Sequence, residues 1–499
     1  MYSVRKVKTK SGSYAVQVVQ YVGHRSIITK HIGSGKDEAE VNILRQKAFD
    51  WIDEQSGQLS LFPDQKQKVL LVDRADCIGV TRQFAFHFFM SCIDECGLSH
   101  LPRLLLDLVI IRLIEPASKL RSLELLQHHF GIHYSQRIYR NIPKLTTYKS
   151  NIEHCAYNVA QKKFNEPFYF VLYDVTTLYF ESFKPDEFKN QGFSKDNKSQ
   201  QPQIVIGLLV TQSGFPLSYE VFAGKTFEGK TMLPVVEKFI AEHPQIKPII
   251  VADAAMLDEE RLTELRENKI SYIVGARLAN VNLNLVKRIH NTLSGNHGEM
   301  ARFSSIHGDL VCDFSIKRYK KELNDFNKLV QKAEELVEKQ SLKIRAKFVR
   351  KITKEKIELN TALIEKRRLL LGIKGYCTDL SEQQLSNELI ISRYHQLWHV
   401  EQSFRMSKFD LQARPIYHQK HDAIKAHVLI CFVALLVEKY LELTTKLSLR
   451  RIRFLVMNIT ETHIQDRITN EIFTFRSPTK DIMDTPLADF ILKWKLLPY

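Results

Sequence analysis

Hydrophobic and polar positions alternate with period two through residues 3–34, in SVRKVKT, SYAVQVVQYV and RSIITKHIG, with breaks at SGS and VGHR. Such alternation predicts a small antiparallel β module with one face covered. A short helix over about Asp37–Gln55 follows, then a Gly-, Ser- and Pro-containing linker over Gln55–Gln67. From Thr81 to about Phe164 the period becomes helical, in FAFHFFMSCIDECGL, LPRLLLDLVIIRLI and LRSLELLQHHF. Pro116 punctuates this run, and HYSQRIYRNIPKL continues the helical reading. Arg137, Arg140 and Lys144 there face either solvent or a phosphate backbone.

The pattern changes sharply at EPFYFVLYDVTTLYFES, Glu166–Ser182. Phe168 to Tyr173 is apolar, aromatic and β-branched, as in a strand buried on both faces, and it runs into Asp174. QPQIVIGLLVT and FPLSYEVFAG predict two strands joined at Ser213–Gly214. TMLPVVEKFIAEH predicts an amphipathic helix, and PIIVAD a buried strand that ends, like the first, in an acid, Asp253. DEERLTELREN predicts a helix capped by Asp258, and SYIVGAR another strand. Three meandering strands followed by alternation with helices is the layout of a ribonuclease-H-like α/β domain. In that layout the ends of the first and fourth strands lie side by side, which is where Asp174 and Asp253 fall.

Residues 279–370 interrupt the layout with strands in EMARFSSI and LVCDFSIKRY and a charged helix over about Lys320–Gln340. Leu323, Phe326, Val330, Ala333 and Val337 recur there over two heptads, too few for a coiled coil, so the helix is expected to pack on its own domain. A basic stretch, Lys343–Lys351, follows, and GIKGYCTDL from Gly372 predicts a strand returning to the core. SNELIISRYHQLWHVEQSFRMSK reads as one long helix and AIKAHVLICFVALLVEKYLEL as a buried one. The expected organisation is a β-hairpin module with helix and linker (1–75), a helical region that is a candidate for DNA binding (76–165), and the first part of an α/β core (166–278). An insertion domain (279–370), the second part of the core with a glutamate-bearing helix (371–447) and a C-terminal tail (448–499) complete it.

Chemistry concentrates on that late helix. At 3.6 residues per turn Tyr394, Trp398, Glu401, Arg405 and Lys408 share one stripe, flanked by Leu397 and Phe404. An acid and two cations among aromatics is not the stripe of a purely structural helix, although an i,i+4 Glu401–Arg405 ion pair alone would account for two of them. If Asp174, Asp253 and Glu401 meet, carboxylates about 4 Å apart repel by roughly 4 kcal/mol per pair at an effective dielectric of 20. Divalent cations relieve that repulsion. Oxygen ligands suit Mg²⁺ or Mn²⁺, and two ions about 3.5–4 Å apart are the device of phosphoryl transfer. No phosphate-binding P-loop and no dinucleotide glycine fingerprint is present.

Composition sharpens the picture. The 499 residues carry 72 Lys and Arg against 56 Asp and Glu, a net charge of +16 spread along the chain. Spread positive charge suits a polyanion, and nucleic acid is the commonest. The absence of a run of about 18 apolar residues predicts no membrane span. The start has no apolar core of a signal peptide, and seven cysteines without regular spacing argue against a disulfide framework. The expected compartment is the cytoplasm.

At these residues the chain resembles bacterial insertion-sequence transposases of the DDE class, and more narrowly the superfamily of insertion-sequence type four. The signature Tyr-x2-Arg-x3-Glu-x6-Lys of that superfamily is matched by Tyr394, Glu401 and Lys408, with Leu397 at the arginine position. Arg405 and Arg393 are the nearby candidates to replace that arginine. YDVTTLYFES, GFSKDNKSQQPQIVIGLLVT, GFPLSYEVFAGKTFEGKT, IVADAAM and ARPIYHQKHDAIKAHVLICFVALL resemble further blocks of the family, so the likeness runs from about Pro116 to Glu438. The resemblance implies a ribonuclease-H-like catalytic core with an inserted domain. It also implies Mg²⁺-dependent cleavage at the terminal inverted repeats of the element, strand transfer into double-stranded target DNA, and a homodimeric synaptic complex. Asp174, Asp253 and Glu401 would be catalytic and metal-binding, and Tyr394, Lys408 and Arg405 would contact DNA. A metal-dependent nuclease or resolvase on the same core, or an inactive DNA-binding relative, are the alternatives.

Overall fold

A computed structural model describes residues 2–56, 75–165, 168–181, 184–192, 198, 200–254, 259–293, 295–305, 308–340, 346–352, 356–467 and 469–496. The expected linker after Gln55 lies almost wholly outside these residues, as do the Asp258 cap and the first part of the basic Lys343–Lys351 stretch. The chain divides into two units, one of Met1–Phe89, Glu124–His133 and Arg451–Tyr499, the other of Met90–Leu123 and Tyr134–Arg450.

In the first unit the alternating N-terminal segments form an antiparallel sheet of β1 (Tyr2–Lys8), β2 (Tyr14–Val22) and β3 (Arg25–Gly35). Helix α1 (Glu38–Ser56) covers one face, burying Val16 and Val18 against Val41, Leu44 and Ala48. Next come β4 (Ala75–Thr81) and α2 (Gln83–Glu95). The expectation of a helical region from residue 76 is corrected here, because that region opens on a strand. The partner of β4 comes from the far end of the chain, out of reach of any local pattern.

The second unit opens with α3 (Arg103–Ile114), α4 (Lys119–Phe130), whose later residues belong to the first unit, and α5 (Lys149–Lys163). Between the last two, Gln136–Tyr148 is 3-10 rather than the expected α-helix, with Pro143 inside it. Proline has no N–H to give to the i−4 carbonyl.

The core elements follow as β5 (Phe170–Tyr179), β6 (Gln203–Val210), β7 (Pro216–Ala223), α6 (Met232–Glu242), β8 (Ile249–Ala252), α7 (Glu259–Glu267) and β9 (Tyr272–Ala276). After them come α8 (Leu283–Thr292), β10 (Met300–Ser305), β11 (Gly308–Phe314), α9 (Ile316–Glu338), β12 (Val349–Lys351), β13 (Ile357–Leu359), α10 (Thr361–Leu369) and β14 (Ile373–Thr378). Among the described strands, eight make one mixed sheet in the order β10-β11-β14-β9-β8-β5-β6-β7. Its last five members, with β9, β8 and β5 parallel and β6 antiparallel to both of its neighbours β5 and β7, have the ribonuclease-H-like order. The segment expected as an insertion lends β10 and β11 to the same sheet, and α8 packs on them through Val286 and Ile289. Helix α9 buries Phe326 and Ala333 against Phe348 and Leu371, the local packing its heptad-like spacing implied.

Helices α11 (Asn387–His395), α12 (Trp398–Arg405) and α13 (His421–Thr445) close the core. Leu429, Ile430, Val433, Leu436 and Val437 of α13 have almost no exposure, so this apolar helix is a core element. No described helix is long and apolar enough to cross a membrane. Beyond it α14 (Leu449–Met457), β15 (Glu461–Asp466), β16 (Ile472–Arg476), α15 (Lys480–Met483) and α16 (Leu487–Lys493) give the tail more order than its mixed sequence suggested. In the first unit β15 pairs with both β16 and β4, and Glu461 accepts from Gln83 and Phe84 N–H at the start of α2.

Candidate active site

Strand β5 is buried because its side chains, from Phe170 to Leu178, are apolar on both faces apart from Asp174 and two threonines. Parallel pairing of Phe170, Val171 and Leu172 with Ile249, Ile250 and Val251 puts β8 beside it. Asp174, partly exposed, therefore sits near Asp253, which is exposed just past the end of β8. With Glu401 in the first turn of α12, these acids line one cleft of about 320 Å³ together with Lys374, Tyr394, His395, Leu397 and Trp398.

The acids differ in their partners. Asp174 Oδ1 accepts from the Val175 N–H at 2.7 Å. Asp253 Oδ1 accepts from the Ala254 N–H and from the Tyr394 hydroxyl, both at 2.8 Å. The Glu401 carboxylate has no hydrogen-bond or ion-pair partner among the described residues, so the i,i+4 pair with Arg405 does not form, although the Glu401 N–H donates to the Leu397 carbonyl. Among the described residues no group of three or more His, Cys, Asp or Glu stands drawn together at the spacing of a finished metal site. The donor set fits hard divalent cations all the same: three carboxylates facing one polar cleft, with Glu401 uncommitted.

Tyr394 is 6 % exposed and its ring meets Tyr376 edge-on at 4.9 Å. Burial first, then the Asp253 charge, pushes its phenol far above the usual range, so it remains a donor to Asp253. Gly275 on β9 makes this possible, since a Cβ there would lie 2.5 Å from the Tyr394 hydroxyl. Lys374 Nζ lies 4.4 Å over the Tyr394 ring. Burial, then Arg318, lowers the Lys374 pKa, while Asp253, Asp313 and Glu401 pull it back up. Lys374 and His395 escaped sequence reasoning. The usable signal was the lysine itself, a charge inside a strand heading for the core.

The expected single long helix is corrected. It is two, α11 and α12, joined through i→i+3 bonds from Gln396 to Arg393, Leu397 to Tyr394 and Val400 to Leu397, and it ends in a π turn over Met406–Asp410. A tight turn advances residues around the axis and a π turn retards them, so a stripe drawn at 3.6 residues per turn does not survive. Tyr394, Trp398 and Glu401 stay together in the cleft; Arg405 and Lys408 do not line it. Lys408 lines a separate cavity of about 30 Å³ with Thr176, Ile206 and Phe432, and Arg405 is exposed. Arg393 donates to Gln212 Oε1 at 2.6 Å and lies over the Phe170 ring at 4.9 Å, outside the cleft lining.

A ribonuclease-H-like sheet that brings acids on neighbouring strands and a following helix to one cleft is the framework of polynucleotidyl transferases. Residues 166–437 match the family described as transposase DDE domain, more than half of the chain, and the chain belongs to that family. It is a DDE transposase, an enzyme of DNA transposition and recombination, in a family that generally uses divalent metal ions. No curated protein matches the chain. Among solved structures, a piggyBac transposase synaptic complex with hairpin DNA is similar at 9 % identity, over 82 % of this chain and 75 % of that one, with a TM-score of 0.36. At that distance the likeness carries no argument about the site.

Proposed function

We propose that Asp174, Asp253 and Glu401 are the catalytic acids of this transposase and hold its divalent ions during cleavage at the ends of an insertion sequence and strand transfer into target DNA. The observation that carries this reading is that the three side chains line one cleft although they come from a strand, a strand end and a helix far apart in sequence. Two Mg²⁺ or Mn²⁺ ions at these acids would lower the pKa of the attacking water or 3′-hydroxyl and stabilise the leaving oxygen. Tyr394 holds one oxygen of Asp253 by its hydroxyl, fixing where the other points. Lys374 supplies positive charge beside Asp253 and Glu401. Arg405 and Lys408 lie outside the cleft lining, so their proposed contacts are to phosphates away from the scissile one. The DNA partners are the terminal inverted repeats and target duplex, bound by a homodimer in the cytoplasm of a bacterium.

The test is cleavage of a labelled duplex carrying the element's own ends, with Mg²⁺ or Mn²⁺, by wild type and by Asp174→Asn, Asp253→Asn and Glu401→Gln. Cuts at the element boundary that require metal and disappear in all three variants are expected. Equal cutting by wild type and variants would overturn the assignment. Cutting without strand transfer would favour the nuclease or resolvase reading.

A further inference from the structure

Within the same unit, a second cavity of about 570 Å³ lies where the α3–α4 turn meets the 411–420 segment and α13. Its lining includes Arg112, Lys119, Arg121, Arg414, His418 and His427 and, among the described residues, no Asp or Glu. Two of its cations are almost wholly buried, Arg112 at 2 % and Lys119 at 3 % exposure. Burying an ammonium such as that of Lys119 with no carboxylate in the lining is expensive, and proteins rarely do so without a partner from elsewhere.

The site is built. Arg112 donates to the Leu411, Gln412 and Ala117 carbonyls, which ties α3 to both sides of the cavity. His427 Nε2 lies 2.9 Å from the Ala413 carbonyl and must donate to it, so its Nδ1 accepts from Lys119 Nζ at 3.3 Å. That bond uses one of the three ammonium protons, and no carboxylate among the described residues pairs with Lys119. The cavity is also joined to the acidic cleft by a strand. Asp174 and Tyr179 are five residues apart on β5, about 16 Å at 3.3 Å per residue. At Tyr179 the Ile416 N–H donates to its carbonyl at 3.0 Å, and the Arg414 guanidinium lies 5.6 Å over its ring. On the axis of a duplex that separation is about five nucleotides.

We propose that this pocket is a phosphate-binding site that seats a backbone phosphate of the DNA strand some nucleotides from the one cleaved at the acidic cleft. The proposal rests on the transposase reading for the identity of the anion. An arriving phosphate would accept from the remaining Lys119 protons, with Arg121 and Arg414 adding positive charge at the mouth. Burial and Arg112 hold the Lys119 ammonium well below its ordinary pKa, and a bound anion reverses that shift.

The experiment measures binding of the full-length protein to a labelled duplex carrying the element's end, across a salt series, for wild type and Lys119→Met. The variant is expected to bind about ten- to a hundredfold more weakly, as for loss of charge-assisted hydrogen bonds. Its plot of log K against log salt should be shallower by about 0.9, one phosphate. A single neutral methylphosphonate walked along the strand should weaken wild type at one position to which Lys119→Met is indifferent. The melting temperature of the free variant should be unchanged or higher, because methionine replaces a desolvated charge. An unchanged salt slope overturns the proposal, as does a lowered melting temperature with intact DNA binding, which marks a structural lysine. Stabilisation of wild type but not the variant by inorganic phosphate, with DNA binding equal in the two, assigns the pocket to a free anion and overturns it as well. Asp174→Asn separates the two readings: full cleavage by that variant removes the catalytic assignment and leaves the Lys119 result standing.

Discussion

The middle of β5 and its C-terminal end, both in the second unit, hold charge in opposite ways. Around Asp174 the charges are mainly negative and near water: Asp253 and Glu401 are exposed, Lys374 lies beside them, and the Glu401 carboxylate has no hydrogen-bond or ion-pair partner among the described residues. Beyond Tyr179 the charges are positive and dry, with Lys119 and Arg112 almost fully buried and two histidines beside them. A hydrated carboxylate stays ionised at little cost and can exchange its shell for a cation. A desolvated ammonium is held at a cost, which an anion repays in a medium where charge interactions are strong. The contrast teaches that the wet station suits groups that must bind and release ions, and the dry one suits a grip.

The largest effect should separate the stations outright. Asp253→Asn is expected to reduce metal-dependent cleavage by about a thousandfold or more, the scale of several kcal/mol of charge stabilisation, with end binding within about twofold of wild type. Lys119→Met should do the reverse, weakening binding while cleavage at saturating protein persists. Gel-shift and cleavage assays on one labelled duplex read both. A variant pair that loses both activities together would break the contrast.

The next effect reports the dryness of the basic station. His418 is pushed from 6.5 down to about 4, by burial first and then by Lys119 and Arg112; His427, similarly lowered, and Tyr139 also face it. The unfolded chain therefore takes up a proton there that the folded chain refuses. Stability is fully present above about pH 6.5 and is lost as pH falls towards about 4, by about 3 kcal/mol from this group. Denaturant unfolding from pH 7 to 4 should show a flatter profile for His418→Asn than for wild type, and parallel profiles would contradict the assignment.

Smaller again is Tyr394→Phe. Losing the hydrogen bond to Asp253 should lower cleavage by about ten- to a hundredfold, the usual cost of removing a group that orients a metal ligand. A positioning role also predicts a raised Mn²⁺ requirement, which a loss of packing alone would not produce. The smallest effect belongs to Arg405→Ala: slightly weaker DNA binding, with a salt slope reduced by about 0.9 at most and the cleavage rate of bound DNA unchanged.

Much of the core was legible because its signals are local. Apolar runs that end in Asp174 and Asp253 define strands whatever surrounds them, and the strand–helix order fixes which ends are neighbours. The β4–β15 pairing was hidden because a strand of DCIGV carries no trace of a partner some 380 residues away. The break between α11 and α12 was hidden too, since nothing in HQLWHV forbids a continuous helix. Lys374 was missed because it lies on a strand that joins the sheet from another part of the chain. The basic pocket was invisible for the same reason: IEPASKL and ARPIYH become neighbours only when α3, α4 and α13 pack.

The central claim is that the three acids of the cleft hold the ions. Its most direct test is a Mn²⁺ titration of the full-length protein followed by electron paramagnetic resonance, for wild type beside Asp174→Asn, Asp253→Asn and Glu401→Gln. Saturable binding by wild type that weakens in each of the three variants is the predicted result. Binding that is equal in all four proteins would contradict the account.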